Sequence, residues 1–281
     1  MKIYIATVHF GDKLKLTKEF VQQFFQIEQF EEIVIANNNK DNLKIKLPHV
    51  KVINNKKNLG WGGGINSTFP YILSKKPDYV FIVNNDCILE KPILEKLSDF
   101  LEKNKDAGIV SPVLKFENNR KHYFDLGGFI NYKRGEIKHK NSLSIKSKKP
   151  YEIDFSGTVL VKEDVLRKIK GFDENFFLYM EDVDFCLRAK KIGYKIFIQP
   201  SAVISHLGSA TVGRESPKAV YHQTRSSLLF VKKYFGFSIN SLKFYLTAFV
   251  VVIRRLKHFY SGRYALLAIY DLILEKNRLN S

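Results

Sequence analysis

Tyr79-Val80-Phe81-Ile82-Val83-Asn84-Asn85-Asp86 is the stretch that decides the fold. A short apolar run rich in aromatic and β-branched residues reads as a strand, and it ends on two amides and a carboxylate. A helical pattern follows at Lys91–Lys103. Working back from there, Lys2–Val8, Glu32–Asn37 and Val50–Ile53 are strands of the same character, with helical patterns between them at Leu14–Phe30 and Ile65–Ser74. This alternation predicts an α/β fold, a parallel sheet with helices on both faces. Ligands in such sheets bind beyond the carboxyl ends of the strands. The residues after Val8, Ile35, Ile53 and Val83 therefore come first.

Composition fits one large α/β domain or two small ones. The chain has 281 residues, 45% hydrophobic and 14% aromatic, enough for a sizeable core and too apolar for a disordered chain. Lys and Arg number 46 against 28 Asp and Glu, a formal +18 that calls for an anionic partner. From Arg214 to Ser281 there are 12 basic and 3 acidic residues, so positive charge is densest there. A boundary near Gly213 divides the chain into 1–213 and a basic helical extension, 214–281. Two cysteines, Cys87 and Cys186, build no disulfide framework and fit a reducing compartment. The apolar start IYIATV is too short for a signal peptide, and no run of about 18 uncharged apolar residues exists to span a bilayer. The expected location is cytoplasmic.

After Ile35 comes Ala36-Asn37-Asn38-Asn39-Lys40-Asp41, either a tight loop or an edge that hydrogen-bonds a base or ribose. After Ile53, Asn58-Leu59-Gly60-Trp61-Gly62-Gly63-Gly64-Ile65-Asn66 puts four glycines in five positions at a helix start. Such a turn lets backbone N–H groups approach an anionic ligand, and a ligand role is the expectation here. It is neither a P-loop nor a dinucleotide fingerprint. Asp86 ends a buried apolar strand, where a carboxylate is costly unless paired or bound to a metal; an Asx-turn would give the same letters.

Farther on, Ser156-Gly157-Thr158 opens an apolar strand, Phe155–Val161. Gly171-Phe172-Asp173-Glu174 leads into an aromatic run and then Glu181-Asp182-Val183-Asp184, which opens a helix. Acids there complement the helix dipole, and Asp184 with Arg188 is a favourable i,i+4 pair. Glu181 and Asp182 sit beside Phe176, Phe177, Leu178 and Tyr179, where burial would raise a carboxylate towards the range of a useful base. Val203-Ile204-Ser205-His206 ends another strand on a histidine, structural or ligating.

The order of these pieces, over Lys2 to Tyr234, resembles family-2 glycosyltransferases of the GT-A fold, nearest to the rhamnosyltransferase-like enzymes of bacterial surface polysaccharide synthesis. The resemblance implies a GT-A type, Rossmann-like mixed sheet with flanking helices. It also implies inverting transfer of a sugar, rhamnose or another hexose, from a nucleoside-diphosphate donor to a hydroxyl of a glycan or lipid-linked acceptor. By position, Asn84-Asn85-Asp86 matches the metal-binding DxD-like motif, with Asn84 a departure. Asp86 and His206 are then the metal ligands, for Mn²⁺ or Mg²⁺. Glu181-Asp182 matches the ED pair, with Asp182 as general base and Glu181 as its support or alternative. Thr7, His9, Asn37, Asn58, Gly60, Asn66, Asn85, Asp86 and Gly157 are the implied nucleotide-sugar contacts. Ala36 stands where the family's base-contacting Asp would be.

Two rival functions are open to test. A sugar-nucleotide nucleotidyltransferase would carry a Gly-rich, basic loop after the first strand, and Thr7-Val8-His9-Phe10-Gly11-Asp12 is not one. A basic nucleic-acid-binding protein would match the charge, but no recognition signature accompanies it. In the tail, Pro217–Tyr234 has helical spacing, and the run Phe244–Ile253 ends in Arg254-Arg255-Leu256-Lys257. Ten apolar residues do not cross a bilayer; such a helix either packs buried on the catalytic domain or lies in the interface of an anionic membrane. The expectation is peripheral contact with the inner face of the cell membrane.

Overall fold

A computed structural model describes residues 1–118, 121–207, 216–236, 242–246, 259–274 and 276. Strand β1 (Ile3–His9) alternates its side chains between two cores. Ile3 and Ile5 face one, Tyr4 and Ala6 the other. Because both faces are buried, both need a cover. Helix α1 (Leu14–Ile27) supplies Phe20, Val21 and Phe24 on the first, and α2 (Gly60–Ser74) supplies Ile65, Phe69 and Ile72 on the second. Each such side chain contributes about 1.5–3 kcal/mol by leaving water.

Strands β2 (Glu32–Asn37) and β4 (Tyr79–Ile82) flank β1 in parallel, and β3 (Val50–Asn54) pairs in parallel outside β2. The register His9–Asn37–Asn54 lines up the carboxyl ends in one row. An entirely parallel sheet is not what forms beyond β4. Strand β10 (Val159–Lys162) runs antiparallel between β4 and β6 (Ala107–Asn118). Then β11 (Lys195–His206) lies parallel to β6, and β5 (Cys87–Ile88) closes the edge antiparallel to β11. Strands β7 (Lys121–Asn131) and β8 (Glu136–Ser142) form a hairpin on β6, and β9 (Tyr151–Ile153) pairs with β11. Helices α3 (Leu94–Lys103), α4 (Glu163–Ile169), α5 (Glu181–Lys191), α6 (Pro217–Phe235) and α7 (Phe259–Ile273) complete the described chain.

Three local expectations are corrected. The basic, Ser-containing stretch Lys138–Lys149 reads from its letters as a loop, but β8 reaches Ser142; its ladder is made by backbone, and its outward side chains are polar. Helix α2 begins at Gly60, five residues before Ile65, because tertiary packing overrides the poor helix propensity of glycine. The strand expected at Phe155–Val161 spans only Val159–Lys162, leaving Ser156 and Gly157 in a loop.

The division at Gly213 falls within 208–215, outside the described residues, as do 247–258 with Arg254, Arg255 and Lys257. Helix α6 begins just beyond it, where the Ser216 hydroxyl caps Ala219 N–H at 3.2 Å. It is fastened to the sheet domain: Ser226 Oγ donates to Leu178 O at 2.8 Å and Arg225 Nη1 to Asn175 O at 2.9 Å. Among the described residues no helix is long and apolar enough to cross a membrane.

Candidate active site

The short antiparallel ladder between β5 and β11 sets His206 opposite Cys87 and Ser205 opposite Ile88. That pairing brings His206 Nε2 to 2.9 Å from Asp86 Oδ1. The two atoms approach without forming a directed hydrogen bond. Asp86 Oδ1 and His206 Nδ1 are both buried with no hydrogen-bond partner among the described residues. Buried polar atoms left in this state normally cost about 1–3 kcal/mol each, so the pair is prepared for something else. One carboxylate oxygen and one imidazole nitrogen form a donor set that fits Mn²⁺ or another borderline divalent cation. The Cys87 thiol completes the cluster within 4.8 Å, but burial, with the Asp86 charge adding to it, pushes the thiol far up. It behaves as an apolar core group.

Helix α5 delivers the second pair of acids. Tyr179 and Met180 both sit in the left-handed region, each at φ 67°, and turn the chain sharply into Glu181. Two such non-glycine residues in succession cost about 1–2 kcal/mol each and persist only where packing imposes them. The imposing contacts are visible. Trp61 N–H donates to Phe177 O at 3.1 Å, and the hydroxyl of Ser226 holds Leu178 O. One turn on, buried Asp184 takes Arg188 Nε at 2.7 Å, the Lys233 ammonium and the Tyr234 hydroxyl at 2.8 Å. The expected Asp184–Arg188 pair therefore exists, within a wider network that bolts α5 to α6.

Asp182 occupies the seam between two cavities of about 510 and 830 Å³. Both are lined by Asn84, His139, Gly157 and Asp182; Glu181 and Trp61 face only the smaller, and His206 only the larger. Gly157 leaves the approach open, for a Cβ there would stand 3.5 Å from Asp182 Oδ2. Burial raises the Asp182 carboxyl above its ordinary range, although His139 and the Val183 N–H draw it back down. Burial raises Glu181 well above its range too, with the Asp182 charge adding to the effect, and its Oε2 has no hydrogen-bond partner among the described residues. A carboxylate of raised basicity facing a cavity, with the candidate cation ligand His206 lining the larger one, can accept a proton from a hydroxyl held there.

Several sequence-derived contacts are engaged with protein groups around this wall. The glycine-rich turn is not an open cradle, because protein fills it: a Cβ on Gly60 would lie 2.1 Å from Phe177 O, and one on Gly64 2.9 Å from Val8 Cγ2. Asn58 Oδ1 accepts from Gly60 N–H at 3.0 Å. Asn66 clamps the backbone of Phe172, donating to its O at 2.9 Å and accepting from its N–H at 2.8 Å. Asn37 donates to Asp41 O and Asn54 Oδ1, each at 2.7 Å, so its amide is spent inside the loop. Thr17 Oγ1 gathers His9 Nδ1 at 2.7 Å and Asn85 Nδ2 at 2.8 Å. Thr7 is buried, and its Oγ1 has no partner among the described residues. None of Thr7, His9, Asn37, Asn58, Gly60, Asn66 or Asn85 lines either cavity.

Sequence reasoning missed Trp61, Asp125 and His139. Trp61 was in plain view within the glycine run, and its buried Nε1 lacks a hydrogen-bond partner among the described residues at the smaller cavity. Nothing local marks Asp125 or His139. They meet only because β7 and β8 pair, His139 Nδ1 lying 2.7 Å from Asp125 Oδ2.

Residues 29–234 match the model of the family described as "Glycosyltransferase like family 2". The chain is 22% identical over 244 residues to the dTDP-rhamnosyl transferase RfbF of Shigella flexneri, covering 82% of this chain and 80% of that protein. It is also 22% identical over 208 residues to an N-acetylglucosaminyl-diphospho-decaprenol L-rhamnosyltransferase of Mycobacterium tuberculosis, covering 66% and 68%. Among solved structures, GalNAc-T7 with UDP, GalNAc and Mn²⁺ superposes with a TM-score of 0.59 at 13% identity, over 86% of this chain and 53% of that one. The fold they share is GT-A.

Proposed function

The chain belongs to glycosyltransferase family 2, and from that membership we propose that it transfers a sugar, rhamnose in our reading, with inversion from a nucleoside-diphosphate donor to a hydroxyl of a glycan or lipid-linked acceptor in bacterial surface polysaccharide synthesis. The observation that carries the mechanism is Asp182 at the seam of two cavities, half-buried and raised in basicity. Asp182 takes the proton of the acceptor hydroxyl. The freed oxygen attacks the anomeric carbon on the face opposite the nucleoside diphosphate, which leaves with the bonding electron pair, and the configuration inverts. Glu181, buried in the same turn, is the support of this base or its alternative.

Asp86 and His206 would hold a divalent cation, Mn²⁺ or Mg²⁺, through the carboxylate oxygen and the imidazole; the Mn²⁺ found with GalNAc-T7, a protein of the same fold, supports the choice. Such an ion, when bound, offsets the negative charge gathering on the departing diphosphate. Gly157 gives the donor room beside Asp182, and Asn37, Asn58, Gly60, Asn66 and Asn85 support the donor wall from behind.

The mycobacterial relative's decaprenol-linked substrate supports a lipid-linked acceptor here. Residues 214–281 act in this reading as a basic helical extension at the inner face of the cell membrane, with Leu266 and Ile273 of α7 exposed. Incubation with a panel of nucleotide-sugars and Mn²⁺ should release nucleoside diphosphate. Release of pyrophosphate would identify a nucleotidyltransferase instead and overturn the proposal.

A further inference from the structure

The β7–β8 hairpin carries an ion pair that the transfer mechanism above does not use. His139 Nδ1 lies 2.7 Å from Asp125 Oδ2, and Asp125 is buried while 38% of the His139 side chain remains open. The imidazole stands edge-on to Phe155, ring centroids 4.9 Å apart at 81°. Asp125 is itself fixed, its Oδ1 accepting from Gly127 N–H at 2.9 Å. One ring nitrogen is thus committed and one side of the ring blocked. What is left of the imidazole borders both cavities, as Asp182 does.

We propose that His139, clamped by Asp125, is the positioning residue that keeps Asp182 in its carboxylate form while the acceptor hydroxyl arrives. The problem it solves is physical. A half-buried carboxylate walled by apolar side chains is drawn towards its neutral form, and a neutral acid accepts no proton. Lys190, an ammonium on the same helix, is engaged with Glu152 at 3.3 Å and Asp154 at 2.7 Å. His139, held by Asp125 on the two cavity walls that it shares with Asp182, supplies the opposite charge when protonated, without a long, flexible side chain.

Asp125 faces His139 from β7, Asp182 and Glu181 from α5, and Glu117 from β6 across the larger cavity. On its own strand Lys138 is paired with Glu136 at 2.8 Å, and Lys140 lies over the Tyr151 ring at 5.9 Å. His206 shares the larger cavity. Burial alone would lower the imidazole, but the hydrogen bond and charge of Asp125, then the charge of Asp182, more than offset it and raise it. Reciprocity follows from linkage: whatever His139 does to Asp182, Asp182 does to His139.

The inference rests on Asp182 as the base, so the test has two readouts. In the full chain, His139→Gln should move the acid limb of kcat/KM upward by about one pH unit, the lower end of what a close opposite charge produces. His139→Lys should bring the limb part of the way back. Independently of turnover, the His139 ring-proton resonances should titrate above 6.5 in the native protein and at a lower pH in Asp182→Asn. An unmoved limb in a folded His139→Gln protein, or the same His139 titration with and without Asp182, overturns the proposal. Full turnover by Asp182→Asn would remove the base assignment and leave the measured coupling standing.

Discussion

Asp86 and His206 face each other across 2.9 Å from strands β4–β5 and β11, which meet only at this corner of the sheet. The contact depends on two residues of β5 being paired correctly, and Leu207 N–H fixes the register by donating to Asp86 O at 3.1 Å. Asp86→Asn or His206→Ala should weaken Mn²⁺ affinity at least about tenfold. The thermal shift given by Mn²⁺ with nucleoside diphosphate should disappear in both. An undiminished shift in either variant would remove that residue from the cation site.

Asp182→Asn should lower kcat by about 10²-fold or more, the usual contribution of a positioned base. Donor binding, read by the same Mn²⁺-dependent thermal shift, should persist, because the substitution is isosteric. If Glu181→Gln abolishes transfer and Asp182→Asn spares it, the base is Glu181.

Glu181 makes a separate, pH-resolved prediction. Its folded carboxyl lies well above the ordinary 4.5, so between those two values the folded chain holds a proton that the unfolded chain has lost. Stability therefore falls as pH rises through this window, and the cost is fully present above the folded value. Glu181→Gln removes it. The Tm gain over wild type should be small near pH ~4 and larger near pH ~8, and an equal gain at both would contradict the assignment.

Gly60 and Gly11 separate backbone strain from collision. Both are left-handed, at φ 73° and 74°, but a Cβ at Gly11 meets nothing within 4 Å. Gly11→Ala should cost about 1–2 kcal/mol, the left-handed penalty alone. Gly60→Ala adds a contact at 2.1 Å with Phe177 O and should cost clearly more in urea unfolding, with loss of activity as the Phe177–Met180 turn shifts. Equal losses would mean that the turn yields freely.

How far the letters reached is clear from these same residues. Apolar runs such as Ile3–Val8 and Tyr79–Val83 are buried on both faces, so composition alone announces them as strands. The acids Glu181 and Asp182 were legible because a carboxylate after an aromatic run needs a reason. The letters of the glycine turn leave its role open, because a glycine admits a ligand backbone and a protein backbone equally well. Only the position of Phe177 decides between them. The Asp125–His139 pair was illegible because it is a product of register: β8 is polar on its open side, and its partner is chosen by the hairpin.

The sheet order also governs how the chain matures on the ribosome. Strand β11 inserts between β6 and β5, yet it is translated after all the other described strands. Until it emerges, the edge of β6 that it covers is an unpaired row of peptide groups flanked by Ile109, Val110 and Val113. Residues 1–162 carry the segments of β1 to β10 but lack the strand that delivers His206, on which β5 and β9 also depend for their pairing. The nascent protein thus passes through an adhesive interval in which its sheet is open, and the same late strand that ends this exposure brings His206 to Asp86.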